Sequence, residues 1–171
     1  LLNLLDSHDT ARLLHHCKGN KKKLKLAILF QMTYLGIPMI LYGDELGLTG
    51  GDDPDNRRCM PWNNDEKTNC NLKYFYKKLI KIRKNSSILQ KGQFESFIIN
   101  ESKNIYAFKR KFDSKEIIVI LNNNSINRKI EFKAKINKYC DLISRETILA
   151  KDNKFKIEMK AYQGLILSSD F

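Results

Sequence analysis

The sequence lacks the features that would place it among membrane or zinc proteins. No apolar run approaches the roughly 20 residues of a membrane-spanning helix. The three histidines and four cysteines do not form a zinc pattern, and no two cysteines have C-x-x-C spacing. We therefore expect no membrane span, no metal site and reduced structural thiols in a cytoplasmic protein. The cysteines are Cys17, Cys59, Cys70 and Cys140.

Acidic residues are also scarce, with 19 Asp and Glu against 31 Lys and Arg and a net charge of +12. Such a charge is typical of nucleic-acid-binding proteins. The excess is mostly Lys and is spread along the chain, and only Lys21–Lys23 forms a run. A solvated Lys-rich surface explains this pattern better, so we expect no nucleic acid partner.

The chain has no initiator Met and no signal peptide, and it begins within an apolar run. We therefore expect it to be a piece of a longer protein. Its 171 residues are enough to bury a core in one domain or in two small ones.

The first twelve residues combine an apolar run with a polar cluster. Leu1–Leu5 predicts a short buried strand, and Ser7, His8 and Asp9 follow at its carboxyl end. Ligands bind at this edge of parallel α/β sheets, so His8 and Asp9 are candidate site residues. The alternative is a strand end at which Ser7 and Asp9 only cap the next helix.

A second strand of the same kind follows. The spacing of apolar residues predicts a helix over Lys21–Leu35, which ends at Gly36. Ile37–Tyr42 is continuously apolar and predicts a strand buried on both faces. Polar residues follow again at Gly43–Glu45. Strand, helix and strand form a βαβ unit with a right-handed crossover.

A long irregular loop, Leu46–Asn69, carries the only Trp, Trp62, and several charged residues. Loops of this length are often functional. Its acidic cluster suggests calcium, but the EF-hand pattern fails because Arg57 stands fifth from Asp53 and no Glu closes the loop. We predict no metal and no cofactor. A second amphipathic helix is predicted over Asn71–Asn85.

From Leu89 onward the segments are short and rich in β-branched residues, with turn residues between them. They predict an antiparallel β-sandwich of seven or eight strands. We expect an α/β domain at residues 1–87 and an all-β domain at residues 88–171. The predicted strands are Gln93–Ile99, Ile105–Lys111, Glu116–Leu121, Lys129–Phe132, Lys138–Leu142, Lys154–Glu158 and Gly164–Ser168.

Three segments together resemble the α-amylase family of glycoside hydrolases. Asn3–Arg12 resembles the motif at the seventh strand of its (β/α)8 TIM barrel, and Gly36–Gly47 resembles the motif at the eighth strand. Thr49–Trp62 is similar to the neopullulanase, cyclomaltodextrinase and maltogenic amylase branch. The resemblance implies the last two βα units of a TIM barrel, followed by the β-sandwich as a C-terminal domain.

The resemblance also implies roles for individual residues. Asp9 matches the carboxylate that stabilises the transition state, and His8 matches a histidine that binds sugar hydroxyls beside it. Asp53 and Arg57 match a pair that contacts the next glucose units. Asp44 and Glu45 match structural groups at the strand tip, so we assign them no chemistry.

The implied function is that of the C-terminal part of a retaining α-glucan hydrolase acting on maltodextrins, cyclodextrins or pullulan. The family's nucleophile and acid/base lie on the fourth and fifth strands, and a whole barrel needs roughly 250 residues. We therefore expect the 171 residues alone to be inactive. One expectation is that the longer parent protein forms a homodimer. We also expect residues 1–45 to rearrange or to pair with another copy through exposed barrel edges.

The alternative function is a non-catalytic carbohydrate-binding module formed by the β-sandwich. Such modules present exposed aromatic side chains to sugar rings. Tyr106, Tyr139 and Tyr162 are the candidates, although core positions suit each of them better.

Overall fold

The computed structural model describes residues 1–62 and 70–170 of the chain, without the side chain of Cys70. The described chain divides into two compact units, Leu1–Lys81 and Ile82–Phe171. This division falls inside the helix Cys70–Lys84, whereas the sequence predicts a boundary after residue 87. The predicted domain limits therefore stay a prediction. Residues 63–69 of the predicted long loop lie outside the described residues.

Among its described residues, the first unit contains two short parallel strands and three helices, the last of which continues past Lys81. β1 pairs with β2 in parallel, with Leu2 opposite Ile37. The connection between them runs through α1 and α2, so the predicted strand–helix–strand order is confirmed. Single 3-10 turns follow at Asp44–Leu46 and Asp55–Arg57. The elements are β1 (Leu2–Asn3), α1 (Leu13–His16), α2 (Lys21–Thr33), β2 (Ile37–Pro38) and α3 (Cys70–Lys84).

Both strands are shorter and more exposed than the sequence predicts. Leu2 is 58% exposed and Ile37 is 65% exposed, so the prediction of strands buried on both faces is wrong for the described chain. The reason is that β1 and β2 form a two-stranded sheet among the described residues. An apolar run is buried only where other elements cover both of its faces.

Helix α2 has a clear start and a buried face. The side chain of Asn20 accepts hydrogen bonds from the amides of Lys22 and Lys23, at 3.0 and 3.1 Å, and so caps the helix. Near the other end, the side-chain amide of Gln31 donates to the carbonyl oxygens of Asn3 and Met39. This single side chain therefore connects α2 to the two segments that form the strand pair.

The second unit is mostly antiparallel sheet. Six strands pair in the order β3-β4-β5-β10-β7-β8, and β6 pairs separately with β9. One short helix precedes them, and all pairings among these named strands are antiparallel. The elements are α4 (Ser87–Lys91), β3 (Gln93–Asn100), β4 (Ile105–Phe112), β5 (Lys115–Asn122), β6 (Arg128–Phe132), β7 (Lys138–Asp141), β8 (Thr147–Leu149), β9 (Phe155–Met159) and β10 (Gly164–Ser168).

The two sheets of this unit share one core. Ala107, Ile118 and Ile120 from the larger sheet pack in the same cluster as Phe132 and Phe155 from the smaller one. The rings of Phe132 and Phe155 stack with centroids 5.2 Å apart. Two layers around one apolar core are the arrangement of a sandwich, here with sheets of unequal size.

All seven strands predicted for this unit are present, and each end lies within one residue of its predicted position. The sequence did not predict β8, which has only three residues, or helix α4. Helix α4 ends at Gly92, which lies close to the backbone of Ile88. A Cβ at this position would lie only 2.3 Å from the carbonyl oxygen of Ile88, so the close approach requires glycine. The buried guanidinium of Arg110 donates to the Gly92 carbonyl oxygen at 2.8 Å and holds this turn in place.

Across the described ranges, no helix is both long enough and apolar enough to cross a membrane.

Candidate active site

A tight turn at the carboxyl end of the β1 segment presents His8 and Asp9. The Ser7 amide donates to the Thr10 hydroxyl at 2.9 Å, and the Asp9 amide donates to the Ser7 hydroxyl at 3.2 Å. The His8 Nε2 atom lies 3.2 Å from Asp9 Oδ1, and both side chains are 67% exposed. The turn therefore holds an imidazole and a carboxylate side by side, open to a ligand.

The long loop brings Arg57 and Asp53 to the same turn. Arg57 Nη2 lies 3.5 Å from Asp9 Oδ1 and 3.1 Å from Asp53 Oδ2. Arg57 Nε donates to the carbonyl oxygen of His8 at 3.1 Å. The structure thus brings together all four residues that the sequence predicts as site residues, although they are up to 49 positions apart along the chain.

These exposed ion pairs do not explain why the loop lies where it does. Pairs between solvent-exposed charges contribute about 0–1 kcal/mol each. The stronger attachment lies beneath them, in polar groups that are buried.

Arg12 is the main buried attachment, with a side chain that is 0% exposed. Its Nε donates to the carbonyl oxygen of Asn56 at 2.8 Å, and its Nη1 donates to the carbonyl oxygen of Tyr42 at 2.7 Å. Nη1 also lies 3.2 Å from Asp44 Oδ1. The guanidinium stands 4.5 Å from the centre of the Tyr42 ring, within cation–π distance. One side chain therefore joins the Asp9 turn, the end of the β2 segment and the long loop.

Gly50 permits a close backbone crossing in the same loop. A Cβ at Gly50 would lie 2.3 Å from the carbonyl oxygen of Asp55 and 2.8 Å from Asn56 Cα. The carbonyl oxygen of Gly50 accepts a bond from the Arg12 amide at 3.0 Å. The peptide bond between Asp53 and Pro54 is cis.

Two neighbouring carboxyl groups, Asp6 and Asp44, lie next to Arg12. Asp6 Oδ2 accepts a bond from the Leu13 amide at 2.7 Å and so holds the start of α1. Burial and, after it, the neighbouring Asp6 carboxyl raise the pKa of Asp44 to about 8, although Arg12 acts to lower it. Burial also raises the pKa of Tyr76, with additional contributions from the charges of Asp44, Asp6 and Glu45. The surroundings of Asp44 therefore favour the protonated form of its carboxyl group.

The contacts of Asp44 are those of a structural group, which is the role that the resemblance implies for it. It contacts Arg12 and accepts a bond from the Leu41 amide at 3.2 Å. The sequence did not single out Asn56, which is 1% exposed and donates two hydrogen bonds to the Asp9 turn. The only sequence signal near Asn56 was the charged composition of the loop around it. A buried amide that binds backbone carbonyl groups has no sequence pattern of its own.

Among the described residues, no group of three or more His, Cys, Asp or Glu residues could hold a metal ion. Cys17, Cys59 and Cys140 are free thiols, and Cys140 is buried.

The three tyrosines that are candidates for carbohydrate binding in the alternative function do not form a flat exposed surface. Tyr139 is fully buried, and its hydroxyl bonds to the carboxylate of Glu116. Tyr106 and Tyr162 are half-buried, and the Tyr106 hydroxyl lies 3.1 Å from the Ser96 hydroxyl. Tyr139 is a core residue, as its position in the sequence favours.

Comparison with known proteins gives the family. The model of the alpha amylase catalytic domain matches residues 2–92, just over half of the chain, so the chain belongs to the α-amylase family. Neopullulanase 2 of Thermoactinomyces vulgaris is 41% identical over 98% of this chain and 29% of its own length. A cyclomaltodextrinase of Thermoanaerobacter pseudethanolicus is 48% identical over 73% of this chain and 21% of its own. The chain thus spans less than a third of either relative.

Solved structures agree with this assignment. A cyclomaltodextrinase structure superposes with a TM-score of 0.90 at 36% identity, covering 99% of this chain and 29% of that one. An Anoxybacillus α-amylase superposes with a TM-score of 0.88 at 28% identity, covering 98% and 37%. The likeness extends over both units of the chain.

Proposed function

We propose that this chain is the C-terminal part of a retaining α-glucan hydrolase. In this proposal residues 1–87 supply the last two βα units of a (β/α)8 barrel, and residues 88–171 form a β-sandwich C-terminal domain. The observation that carries it is the convergence of Asp9, His8, Asp53 and Arg57 within hydrogen-bond or ion-pair distance of one another. The names of the relatives suggest maltodextrins, cyclodextrins or pullulan as substrates.

Asp9 is the proposed transition-state stabiliser. Its carboxylate is exposed at the end of the β1 segment and can accept hydrogen bonds from two neighbouring sugar hydroxyls. Positive charge develops on the sugar ring as the glycosidic bond breaks, and a nearby carboxylate interacts more strongly with that charge than with the neutral substrate. An interaction that strengthens in the transition state accelerates the reaction.

The neighbours of Asp9 have supporting roles in substrate binding. The His8 imidazole, 3.2 Å from the Asp9 carboxylate, is placed to bind a hydroxyl of the same sugar. Arg57 and Asp53 extend the polar surface away from Asp9 and are placed to bind the adjoining glucose unit. Arg57 also offsets part of the negative charge of the two carboxylates that it contacts.

A retaining hydrolase also needs a nucleophile and a general acid about 5–5.5 Å apart, and we assign these to the upstream part of the parent enzyme. The isolated chain is then expected to bind maltooligosaccharides at most weakly and to hydrolyse none. Reducing-sugar release from maltotriose by the pure chain would contradict this part of the proposal.

The decisive experiment uses the complete enzyme, in which the rest of the barrel comes from the chain's own upstream residues or from the corresponding part of Neopullulanase 2. We expect hydrolysis of maltotriose or a cyclodextrin, and a loss in kcat/KM of at least about 10²–10³-fold in Asp9→Asn. Asp52→Asn, an exposed carboxylate of the same loop, is the matched control and should retain activity. Equal losses in both variants, or full activity in Asp9→Asn, would contradict the role of Asp9.

For the cellular location, we infer the cytoplasm. The support is a relative that is named an intracellular maltogenic amylase of Bacillus subtilis. Oligomerisation of the complete enzyme, and pairing of two copies of the isolated chain through the exposed edges of β1 and β2, belong to the same proposal. Light scattering coupled to size-exclusion chromatography tests both.

A further inference from the structure

Asn56 occupies an unusual place in the long loop. Its neighbours Asp55 and Arg57 are exposed, whereas Asn56 is 1% exposed. A buried amide is costly unless its polar atoms are hydrogen-bonded, so its bonds indicate what it does.

Both hydrogens of the Asn56 amide go to the turn that carries Asp9. Nδ2 donates to the carbonyl oxygen of His8 at 2.8 Å and to that of Thr10 at 3.0 Å. These two carbonyl groups belong to the residues immediately before and after Asp9. The orientation of the amide is fixed by the same contacts, because the opposite orientation would place its oxygen against two carbonyl oxygens.

Asn56 is itself held from the opposite side. The buried Arg12 donates to the Asn56 carbonyl oxygen at 2.8 Å. The backbone of Asn56 is therefore fixed by a residue three positions after Asp9, and its side chain fixes the two residues that flank Asp9. Its sequence neighbour Arg57 contacts the Asp9 carboxylate directly, at 3.5 Å.

We propose that Asn56 is a positioning residue that sets the place of the Asp9 carboxylate relative to Arg57 and Asp53. This inference rests on the proposed function, because positioning matters only if Asp9 acts on a substrate. Asn56 does not reach the exposed surface where a sugar would bind, so its effect passes through the backbone on both sides of Asp9. Without its two bonds, the buried Arg12 would still join the turn to the loop, but the carbonyl oxygens of His8 and Thr10 on either side of Asp9 would lose the donor that Asn56 supplies.

The consequence is a loss in turnover rather than in substrate affinity. A displacement of about 1 Å in a catalytic group can cost on the order of 10²-fold in rate. In the complete enzyme we expect Asn56→Ala to lower kcat for maltotriose about 100-fold and to change KM less than about 3-fold. Asn123→Ala, an exposed asparagine of the second unit, is the matched control and should leave both constants unchanged.

A merely structural role would reduce the number of folded sites instead. Calorimetric titration of the complete enzyme with acarbose counts the sites that are folded and able to bind. Positioning predicts a low kcat per titrated site, whereas a structural role predicts fewer sites with normal turnover. The second result overturns the inference.

Further outcomes separate this inference from the proposed function. If the unmutated complete enzyme is inactive, or if Asp9→Asn is fully active, the proposed function fails and the inference fails with it. If Asp9→Asn is inactive while Asn56→Ala turns over normally, only the inference fails. If Asn56→Ala does not fold, Asn56→Ser keeps one donor and should lose about 10-fold in kcat. Normal turnover in Asn56→Ser, or failure of both variants to fold, overturns the positioning role.

Discussion

Replacing Arg12 by Met should destabilise the first unit far more than the loss of any exposed charge. The Arg12 side chain is fully buried and donates to the carbonyl oxygens of Asn56 and Tyr42 and to the Asp44 carboxyl group. Met has a similar length but no donor. The buried carbonyl oxygen of Asn56, the partly buried carbonyl oxygen of Tyr42 and the Asp44 carboxyl group would each lose the donor that Arg12 supplies.

The bonds that Arg12 makes give an estimate of the stability lost in this variant. An unsatisfied buried polar group costs about 1–3 kcal/mol, and a hydrogen bond from a charged donor contributes about 1.5–3 kcal/mol. These terms overlap, because the same guanidinium serves all three acceptors, so we expect a loss of about 4 kcal/mol in the free energy of unfolding. That corresponds to about 10³-fold in the folding equilibrium.

Arg58→Met is the matched control. Arg58 belongs to the same loop region and pairs with Asp55 at 2.7 Å, but both side chains are about half exposed. An exposed pair contributes about 0–1 kcal/mol, so this variant should be nearly as stable as the original chain.

Hydrogen exchange measured by mass spectrometry in increasing urea gives the comparison. Peptides that cover α2, Lys21–Thr33, report the opening of the first unit separately from the β-rich unit. A difference of less than about 1 kcal/mol between Arg12→Met and Arg58→Met would refute the reasoning that Arg12 holds this unit together.

Two further variants test the buried carboxyl pair and the β core. The pKa of Asp44 is raised from 3.8 to about 8, so the folded chain holds a proton that the unfolded chain releases, and stability should fall as pH rises from about 4 to 8. Asp44→Asn should flatten that slope in thermal unfolding, and an unchanged slope would contradict the assignment. Phe155→Ala should cost about 3–5 kcal/mol in urea unfolding, since Phe155 is fully buried, whereas Ile99→Ala, at a side chain 67% exposed, should cost under about 0.5 kcal/mol. Equal costs would contradict the placement of Phe155 in the core.

The β-rich unit could be predicted from the sequence because its signals are local. Along β9, Phe155–Met159, buried and exposed residues alternate, which is the period of a strand with one buried face. Strand β10 has the predicted limits, Gly164–Ser168. Strand β8, Thr147–Leu149, was missed because three residues are too few to show an alternation.

The first unit was predicted less well because its signals depend on distant neighbours. The apolar runs at Leu1–Leu5 and Ile37–Tyr42 indicate burial, yet the structure has only two-residue strands there with exposed side chains. An apolar run indicates that a segment tends to be buried, but it does not identify the elements that pack against it. The parallel order of the two strands was predicted, because the helix between them requires it.

The sequence singled out the exposed residues of the candidate site but not the buried residues that hold them in place. His8, Asp9 and Arg57 are chemically recognisable types in recognisable motifs, and the structure places them together. Arg12 and Asn56 act on backbone carbonyl groups, which every residue possesses. No sequence pattern therefore identifies which carbonyl groups they bind.

The attachment of the long loop through backbone atoms has a consequence for how this family can diversify. Arg12 and Asn56 bind carbonyl oxygens, so the loop keeps its path whatever side chains its exposed positions carry. Asp53 and Arg57 lie on the solvent side of that attachment. Substitutions at these two positions can alter the exposed surface beside Asp9 without removing the buried bonds of Arg12 and Asn56. Under the proposed function, they are the first positions to vary when testing for a changed glucan preference.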